Sequence, residues 1–253
     1  YSPRWCDLIR RNDASLLTGI ACVSVPAGCG GRAARDWASV REVTPAVLIA
    51  RAAGAPAIAA DRHGRVALTW VTRDSLGQDL WLTLSADSGL TFAAPVRVNA
   101  HPGSVSAAAE NRPLPVYGPG GELLVAWSER RGSEPMVADL VARGSGDGGR
   151  TLGPTVVINA DAEDDKAVFH GFPTLAFLPG GGVFAAWVDH REGARPSPGR
   201  EPSASLFYAL SGDGGQSWSD NRPLTDRACP SCRPAALSDA SGLVAVAYRS
   251  AGG

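Results

Sequence analysis

The sequence predicts an all-β fold, a β-propeller of four-stranded antiparallel blades. Three observations lead to this fold class. Glycine and proline supply 30 and 19 of the 253 residues, which disfavours long helices because both destabilise helix interiors. Two different segments with the pattern of a β-hairpin recur along the chain at intervals of about 60 residues. Two hairpins in each repeat give the four strands of one propeller blade.

The first recurring hairpin has a proline fourteen residues before an aromatic residue, with glycine near its centre. Residues after the glycine alternate in polarity, as in Val66, Leu68 and Trp70, which is typical of a strand that follows a tight turn. This hairpin predicts strands 1 and 2 of each blade. Its copies cover 55–70, 112–127, 172–187 and 233–248, with the pairs Pro56 and Trp70, Pro113 and Trp127, Pro173 and Trp187, and Pro234 and Tyr248.

The second recurring hairpin follows an alternating apolar run, as in Leu80, Leu82 and Leu84, and predicts strands 3 and 4. Its copies cover 85–99, 145–159 and 211–225. We therefore expect a β-propeller over 53–253, after an N-terminal cysteine-containing arm over 1–52. The predicted blades cover about 53–101, 110–160, 170–226 and, in part, 231–253.

Each copy of the second hairpin contains the pattern S-x-D-x-G-x-[ST]-[FW], with one departure at Leu152. The matches are Ser85, Asp87, Gly89, Thr91 and Phe92; Ser145, Asp147, Gly149 and Thr151; and Ser211, Asp213, Gly215, Ser217 and Trp218. By this motif the chain resembles the Asp-box (bacterial neuraminidase repeat) family of sialidase-like β-propellers. We expect Asp87, Asp147 and Asp213 to be structural, because a carboxylate and a serine hydroxyl bind turn amides and glycine permits a positive φ.

The resemblance implies a ring of six blades, whereas the repeats account for three full blades and part of a fourth. Two explanations stay open. The arm supplies the missing strands of a smaller ring, with Val47 to Ile49 as a candidate strand, or the sequence lacks the rest of the propeller. The chain begins at Tyr1 without a signal peptide, so it is either a processed form or an incomplete one.

Strand order sorts the polar residues between two faces. The turn from strand 2 to strand 3 and the link to the next blade lie on one face, and the Asp boxes lie on the other. The predicted ligand or partner face carries Arg73, Arg112, Glu129, Arg130, Asp189, His190, Arg191, Arg233 and Arg249. Converging arginines would bind a carboxylate bidentately; alternatively, these charges form solvated pairs at loop tips.

Five cysteines, at positions 6, 22, 29, 229 and 232, favour an exported protein with disulfides, in the periplasm or secreted. We expect Cys229 and Cys232 to form a disulfide, either with each other or with the arm cysteines. The alternative is a Zn or Cu site that adds His101, His170 or His190, but a single C-x-x-C is a weak signal for one. We predict no metal and no cofactor.

The resemblance implies a catalytic set of three arginines on the substrate carboxylate, a tyrosine nucleophile with a glutamate, and an aspartate acid/base. The usual R-I-P motif of the first arginine is absent from this sequence. Arg112 and Arg233 stand one residue closer to a proline than the motif requires. None of the four tyrosines matches the nucleophile by its context, so the catalytic residues are unknown.

Composition excludes two classes of partner. The net charge of −1 argues against a nucleic acid, and no apolar run approaches the ~18 residues of a membrane-spanning helix. We expect a non-catalytic extracytoplasmic binding or structural module whose partner is another protein or a carbohydrate. One form of this is an accessory subunit on the extracytoplasmic face of a membrane-bound complex. The alternative is an exo-sialidase-like glycoside hydrolase acting on acidic sugars.

Overall fold

The computed structural model describes residues 49–50, 53–108, 110–132, 134, 136–161, 168–191 and 203–251. Within these residues the chain forms fourteen β-strands and one short 3-10 turn, without an α-helix. The predicted arm over 1–52 lies outside the described residues except for 49–50, and so do Cys6, Cys22 and Cys29. In the part described, no helix has the length and apolar character needed to cross a membrane.

The strands form three four-stranded antiparallel sheets, which we call blades 1 to 3, and a separate hairpin. Blade 1 contains β1 (Ala53–Ala60), β2 (Val66–Arg73), β3 (Gln78–Ser85) and β4 (Val96–Arg97). Blade 2 contains β5 (Leu114–Tyr117), β6 (Leu123–Arg130), β7 (Ala138–Ser145) and β8 (Thr155–Val157). Blade 3 contains β9 (His170–Phe177), a 3-10 turn (Pro179–Gly181), β10 (Val183–Asp189), β11 (Ala204–Ser211) and β12 (Arg222–Ala228), and the hairpin contains β13 (Ala235–Ser238) and β14 (Val244–Ala247).

The prediction of a propeller with four-stranded antiparallel blades is confirmed. In every sheet the strands lie side by side in chain order. The first strands β1, β5, β9 and β13 contact one another in succession, so they line a common axis while the later strands lie further out. Among the described residues, the fourth unit consists of the hairpin β13–β14 alone.

The central strands are buried on both faces because each blade packs against its neighbours. β10 is buried along its whole length, and β6 is buried from Leu123 to Ser128. Trp127 lies in the apolar layer between blades 1 and 2, and Trp187 lies in the layer between blades 2 and 3. The aromatic residue that marks the repeat in the sequence therefore anchors the contact between blades.

The three S-x-D-x-G turns share one set of hydrogen bonds. In the turn after β7, Ser145 Oγ accepts from the Gly149 amide at 2.7 Å and donates to Asp147 Oδ1 at 2.7 Å. Asp147 also accepts from the Thr151 amide at 2.9 Å and from the Thr151 hydroxyl at 2.7 Å. The same bonds recur after β3 and β11. Gly149 has φ +99°, a conformation that favours glycine.

These bonds also set the ionisation of the turn carboxylates. Donors led by the Thr91 hydroxyl lower the pKa of Asp87 to about 2, and donors led by the Ser217 hydroxyl lower the pKa of Asp213 to about 2. Leu152, the departure from the motif, packs against the layer between blades 1 and 2. An aliphatic side chain thus covers the second turn in place of the aromatic ring.

The links after blade 1 and after blade 2 each start at a buried asparagine that bonds an aspartate, at equivalent positions in the two blades. Asn99 accepts from the Leu80 amide at 2.9 Å and donates to Asp79 at 2.7 Å. Asn159 accepts from the corresponding amide in blade 2 at 2.8 Å and donates to Asp139 at 3.0 Å. Because both asparagines are buried, these bonds fix where each link leaves its blade on the face opposite to the S-x-D-x-G turns.

Candidate functional site

A cavity of about 470 Å³ lies on the face that carries the links and the turns between strands 2 and 3; we call it the axial cavity. Residues from all three blades and from the link before β13 form its wall. The cavity is therefore shared by the repeats and does not belong to a single blade. The lining residues that bear on its chemistry are Arg73, Gln78, Asn111, Arg130, Met136, Phe169, Phe172, His190, Pro230 and Ser231.

Two arginines give the axial cavity its positive charge. Arg73 ends β2 and is exposed, and Arg130 ends β6 and is half-buried. Arg130 donates from Nη2 to the Gly103 carbonyl, while its Nε is buried and has no hydrogen-bond acceptor within the described part of the chain. Neither guanidinium has a carboxylate partner among the described residues. Such a pair attracts an anion, and it binds a carboxylate best because the planar fork of arginine matches two oxygens.

An aromatic wall faces these charges. The Phe169 ring makes edge contacts with the Phe172 ring, at 5.9 Å between centroids, and with the His190 ring, at 5.7 Å. His190 Nε2 lies 3.1 Å from the Pro230 carbonyl oxygen, so this nitrogen donates and the ring orientation is fixed. The cavity thus combines an apolar wall with a few oriented polar groups, which is typical of small-molecule sites.

Phe172 is held in an unusual backbone conformation at this wall. Its φ is +56°, in the left-handed region that non-glycine residues seldom adopt. Asn111, which is 5% exposed, accepts from the Phe172 amide at 2.7 Å. Asn111 also accepts from the Ser128 hydroxyl at 3.3 Å. Such conformations persist where the surrounding contacts enforce them, and they are frequent at functional sites.

A buried charged network lies between blades 2 and 3. His170 Nδ1 donates to the Ala138 carbonyl at 2.9 Å, and its Nε2 lies 3.1 Å from Asp161 and 3.5 Å from Asp189. Arg191 Nη2 lies 2.7 Å from Asp189 and 3.2 Å from Asp161. Burial alone would raise the pKa of Asp161, but the hydrogen bond from His170 and the charges of His170 and Arg191 hold that pKa well below its usual range.

This network has the donor atoms for a metal ion but already contains its own positive charge. Potential ligand atoms of Asp161, His170 and Asp189 lie within 4.8 Å of one another. Arg191, however, binds both carboxylates, and the Trp187 indole also donates to Asp189 at 2.8 Å. A cation would have to displace Arg191 from both carboxylates. The arrangement therefore favours a structural ion-pair network that positions the links.

The structure brings only three of the predicted face residues into the axial cavity: Arg73, Arg130 and His190. Asp189 and Arg191 belong to the network between blades 2 and 3 and do not line the axial cavity; Asp189 is 0% exposed, and Arg191 is half-buried. Glu129 does not line the cavity, and it accepts from the Ser104 hydroxyl at 2.7 Å.

The other predicted face residues lie outside the wall of the axial cavity. Arg233 is half-buried, and its Nη2 has no hydrogen-bond partner among the described residues. Burial and the nearby charge of Arg112 lower the pKa of Arg233 to about 10, although Glu110 acts in the opposite direction. Arg249 contacts the sulfur atoms of a disulfide that joins Cys229 to Cys232. That disulfide leaves these two cysteines without the thiolates that a metal site would need.

Sequence reasoning missed the aromatic wall. Phe169 comes just before β9 and Phe172 lies within it, next to Pro173, where the other repeats have Ala55, Arg112 and Arg233. Their place beside the repeated proline was a signal, since two apolar rings at the start of a strand need a surface to pack on. Of the described residues that line the axial cavity, none is a tyrosine or a carboxylate.

Comparison with solved structures agrees with this fold. An α-L-arabinofuranosidase from Fusarium graminearum in complex with an iminosugar inhibitor is similar at TM-score 0.51 and 18% identity, over 72% of this chain and 53% of that one. The GH93 α-L-arabinofuranosidase of the same organism with arabinobiose is similar at TM-score 0.50 and 19% identity, with the same coverage. A sialidase from Streptococcus pneumoniae gives TM-score 0.42 and 13% identity, over 64% of this chain and 21% of that one.

The chain spans about half the length of the arabinofuranosidases that it matches. No protein-family model matches the sequence, and no curated protein matches it either. At 18–19% identity the likeness to the two arabinofuranosidases concerns the fold alone.

Proposed function

We propose that the chain recognises an acidic sugar in the axial cavity. The observation that carries this proposal is the pair Arg73 and Arg130, which have no carboxylate partner among the described residues and face an aromatic wall. The guanidinium groups would bind the sugar carboxylate. The Phe169 and Phe172 rings would cover the apolar face of the sugar. The amides of Gln78 and Asn111 are bonded to the backbone of the wall and hold its shape.

We further infer that this recognition serves the hydrolysis of a glycoside. Support comes from the two α-L-arabinofuranosidase structures from Fusarium graminearum that share the fold. Glycosidases need two carboxylates, or a tyrosine in place of one. Because a fold hosts many functions, activity has to be measured directly.

The second candidate is a non-catalytic binding module. It is favoured by the lining of the axial cavity, which among the described residues contains neither a carboxylate nor a tyrosine. Under either candidate the site would lie outside the cytoplasm. The Cys229–Cys232 disulfide supports that location, because disulfides persist mainly in oxidising compartments.

One pair of assays separates the candidates. N-acetylneuraminic acid and glucuronic acid are tested for binding by calorimetry, with arabinose as the neutral control, and fluorogenic glycosides of the same sugars are tested for turnover. Binding with turnover supports the hydrolase, and binding without turnover supports the module. Failure of both acids to bind, in calorimetry and in thermal shift, would refute recognition of an acidic sugar.

A further inference from the structure

The link between blade 3 and the last hairpin carries a disulfide in a C-x-x-C sequence, formed by Cys229 and Cys232. The two residues differ in exposure. Cys229 is buried, at 4% exposed, whereas Cys232 is partly exposed. A thiol from solution can therefore approach Cys232 Sγ more readily than Cys229 Sγ, which makes Cys229 the leaving group in a reduction.

A positive charge lies beside both sulfur atoms. Arg249 Nη1 is 3.6 Å from Cys229 Sγ and 3.6 Å from Cys232 Sγ. The backbone keeps it there, because the Cys229 amide donates to the Arg249 carbonyl at 2.9 Å. An adjacent arginine stabilises a thiolate, and a thiolate of lower pKa leaves faster in disulfide exchange. The site thus has an accessible sulfur to attack and a stabilised sulfur to release.

The same link forms part of the axial cavity. Pro230 and Ser231, the two residues between the cysteines, line it. The Pro230 carbonyl accepts from His190 Nε2 at 3.1 Å, and the His190 ring contacts the Phe169 ring. A change in the backbone of this link therefore reaches the aromatic wall through direct contacts.

We propose that Cys229–Cys232 is a reversible redox site that controls the wall of the axial cavity. A dithiol reductant supplies the electrons. Its first thiolate attacks Cys232 Sγ, forms a mixed disulfide and breaks the Sγ–Sγ bond, and Cys229 leaves as a thiolate beside Arg249. The second thiol of the reductant then attacks the reductant's first sulfur in the mixed disulfide, and Cys232 leaves as a thiolate. The protein thereby gains two electrons and two protons, and the reductant becomes a disulfide. In the reduced state the link is free to move away from His190.

The rate of reduction tests the role of Arg249. The full chain is treated with dithiothreitol under native conditions, and the thiols at positions 229 and 232 are followed by alkylation and peptide mass mapping. We expect reduction without unfolding, and a rate about three- to tenfold lower in Arg249→Met. Arg249→Lys, which keeps the charge, and Arg222→Met, which removes an exposed arginine elsewhere, should react at nearly the wild-type rate. A disulfide that resists reduction in the folded protein, or equal rates in wild type and Arg249→Met, would overturn the proposal.

Hydrogen exchange tests the coupling to the cavity. Reduction should speed amide exchange within 229–232 and also at Phe169, Phe172 and His190. The double variant Cys229→Ser, Cys232→Ser should show the same faster exchange and no response to dithiothreitol. If reduction changes exchange in the link but leaves the aromatic wall unchanged, the control of the cavity is disproved. Neither experiment depends on which ligand the cavity binds.

Discussion

The two buried tryptophans of the repeat provide a matched test of the network between blades 2 and 3. Trp127 and Trp187 occupy equivalent strands and are 1% and 0% exposed. Trp187 Nε1 donates to Asp189 at 2.8 Å, whereas Trp127 Nε1 has no acceptor within the described residues. Replacement by phenylalanine removes the same atoms at both sites. Only at Trp187 does it remove a hydrogen bond to a buried carboxylate.

The difference between the two variants follows from that bond. A hydrogen bond to a charged group contributes about 1.5–3 kcal/mol, so Trp187→Phe should lower the free energy of unfolding by about that much more than Trp127→Phe. The difference corresponds to about 3–12 °C in Tm for a chain of this size. Urea denaturation with equal m values measures it. Equal losses, or a larger loss for Trp127→Phe, would refute the assignment of the Asp189 bond.

Three further predictions concern the turns and links. Asp213→Asn should destabilise the protein at neutral pH. The folded pKa of Asp213, about 2, lies below the ordinary value. The stabilisation by the ionised carboxylate is therefore present above about pH 4 and is lost as the pH falls through 2. The gap in urea midpoint between variant and wild type should therefore narrow from pH 7 to pH 3. Gly149→Ala should lower the free energy of unfolding by about 1–3 kcal/mol more than the control Gly180→Ala, as measured by thermal denaturation. Both glycines have a positive φ, but only at position 149 would the new Cβ lie 2.7 Å from Leu123. Asn99→Ala should cost about 1–3 kcal/mol in urea denaturation, because it leaves the buried Leu80 amide without a partner and leaves Asp79 with the Gly103 amide as its remaining donor.

The sequence was sufficient to predict the architecture because the signals are local and repeated. Pro173 and Trp187 mark one hairpin, and Ser145, Asp147 and Gly149 mark another, so strand number and order follow from spacing alone. The side of the propeller on which each loop lies also follows, since antiparallel strands alternate in direction. These features do not depend on how the blades pack against one another.

The site was harder to predict because burial on this face depends on contacts between blades. Asp189 and Arg191 follow Trp187 at the same spacing as Glu129 and Arg131 follow Trp127. Asp189 nevertheless lies 3.5 Å from His170 and pairs with Arg191, whereas Glu129 accepts from the Ser104 hydroxyl. That network needs His170 from the start of the preceding strand β9, and the spacing of residues in one sequence does not show that the two side chains meet. For the same reason the sequence did not predict the aromatic wall, which forms where the start of β9 meets His190, the residue after β10.

Calorimetric titration with an acidic sugar tests the central claim most directly. N-acetylneuraminic acid and glucuronic acid are titrated into wild type, Arg73→Ala, Arg130→Ala and the control Arg97→Ala, whose arginine is exposed on β4 away from the cavity. We expect at least one acid to bind, arabinose to bind much more weakly, and each cavity variant to lose about tenfold or more in affinity, since a charged hydrogen bond is worth about 1.5–3 kcal/mol. Arg97→Ala should bind as wild type does. Binding that survives both cavity substitutions, or a preference for arabinose over the acids, would contradict the account.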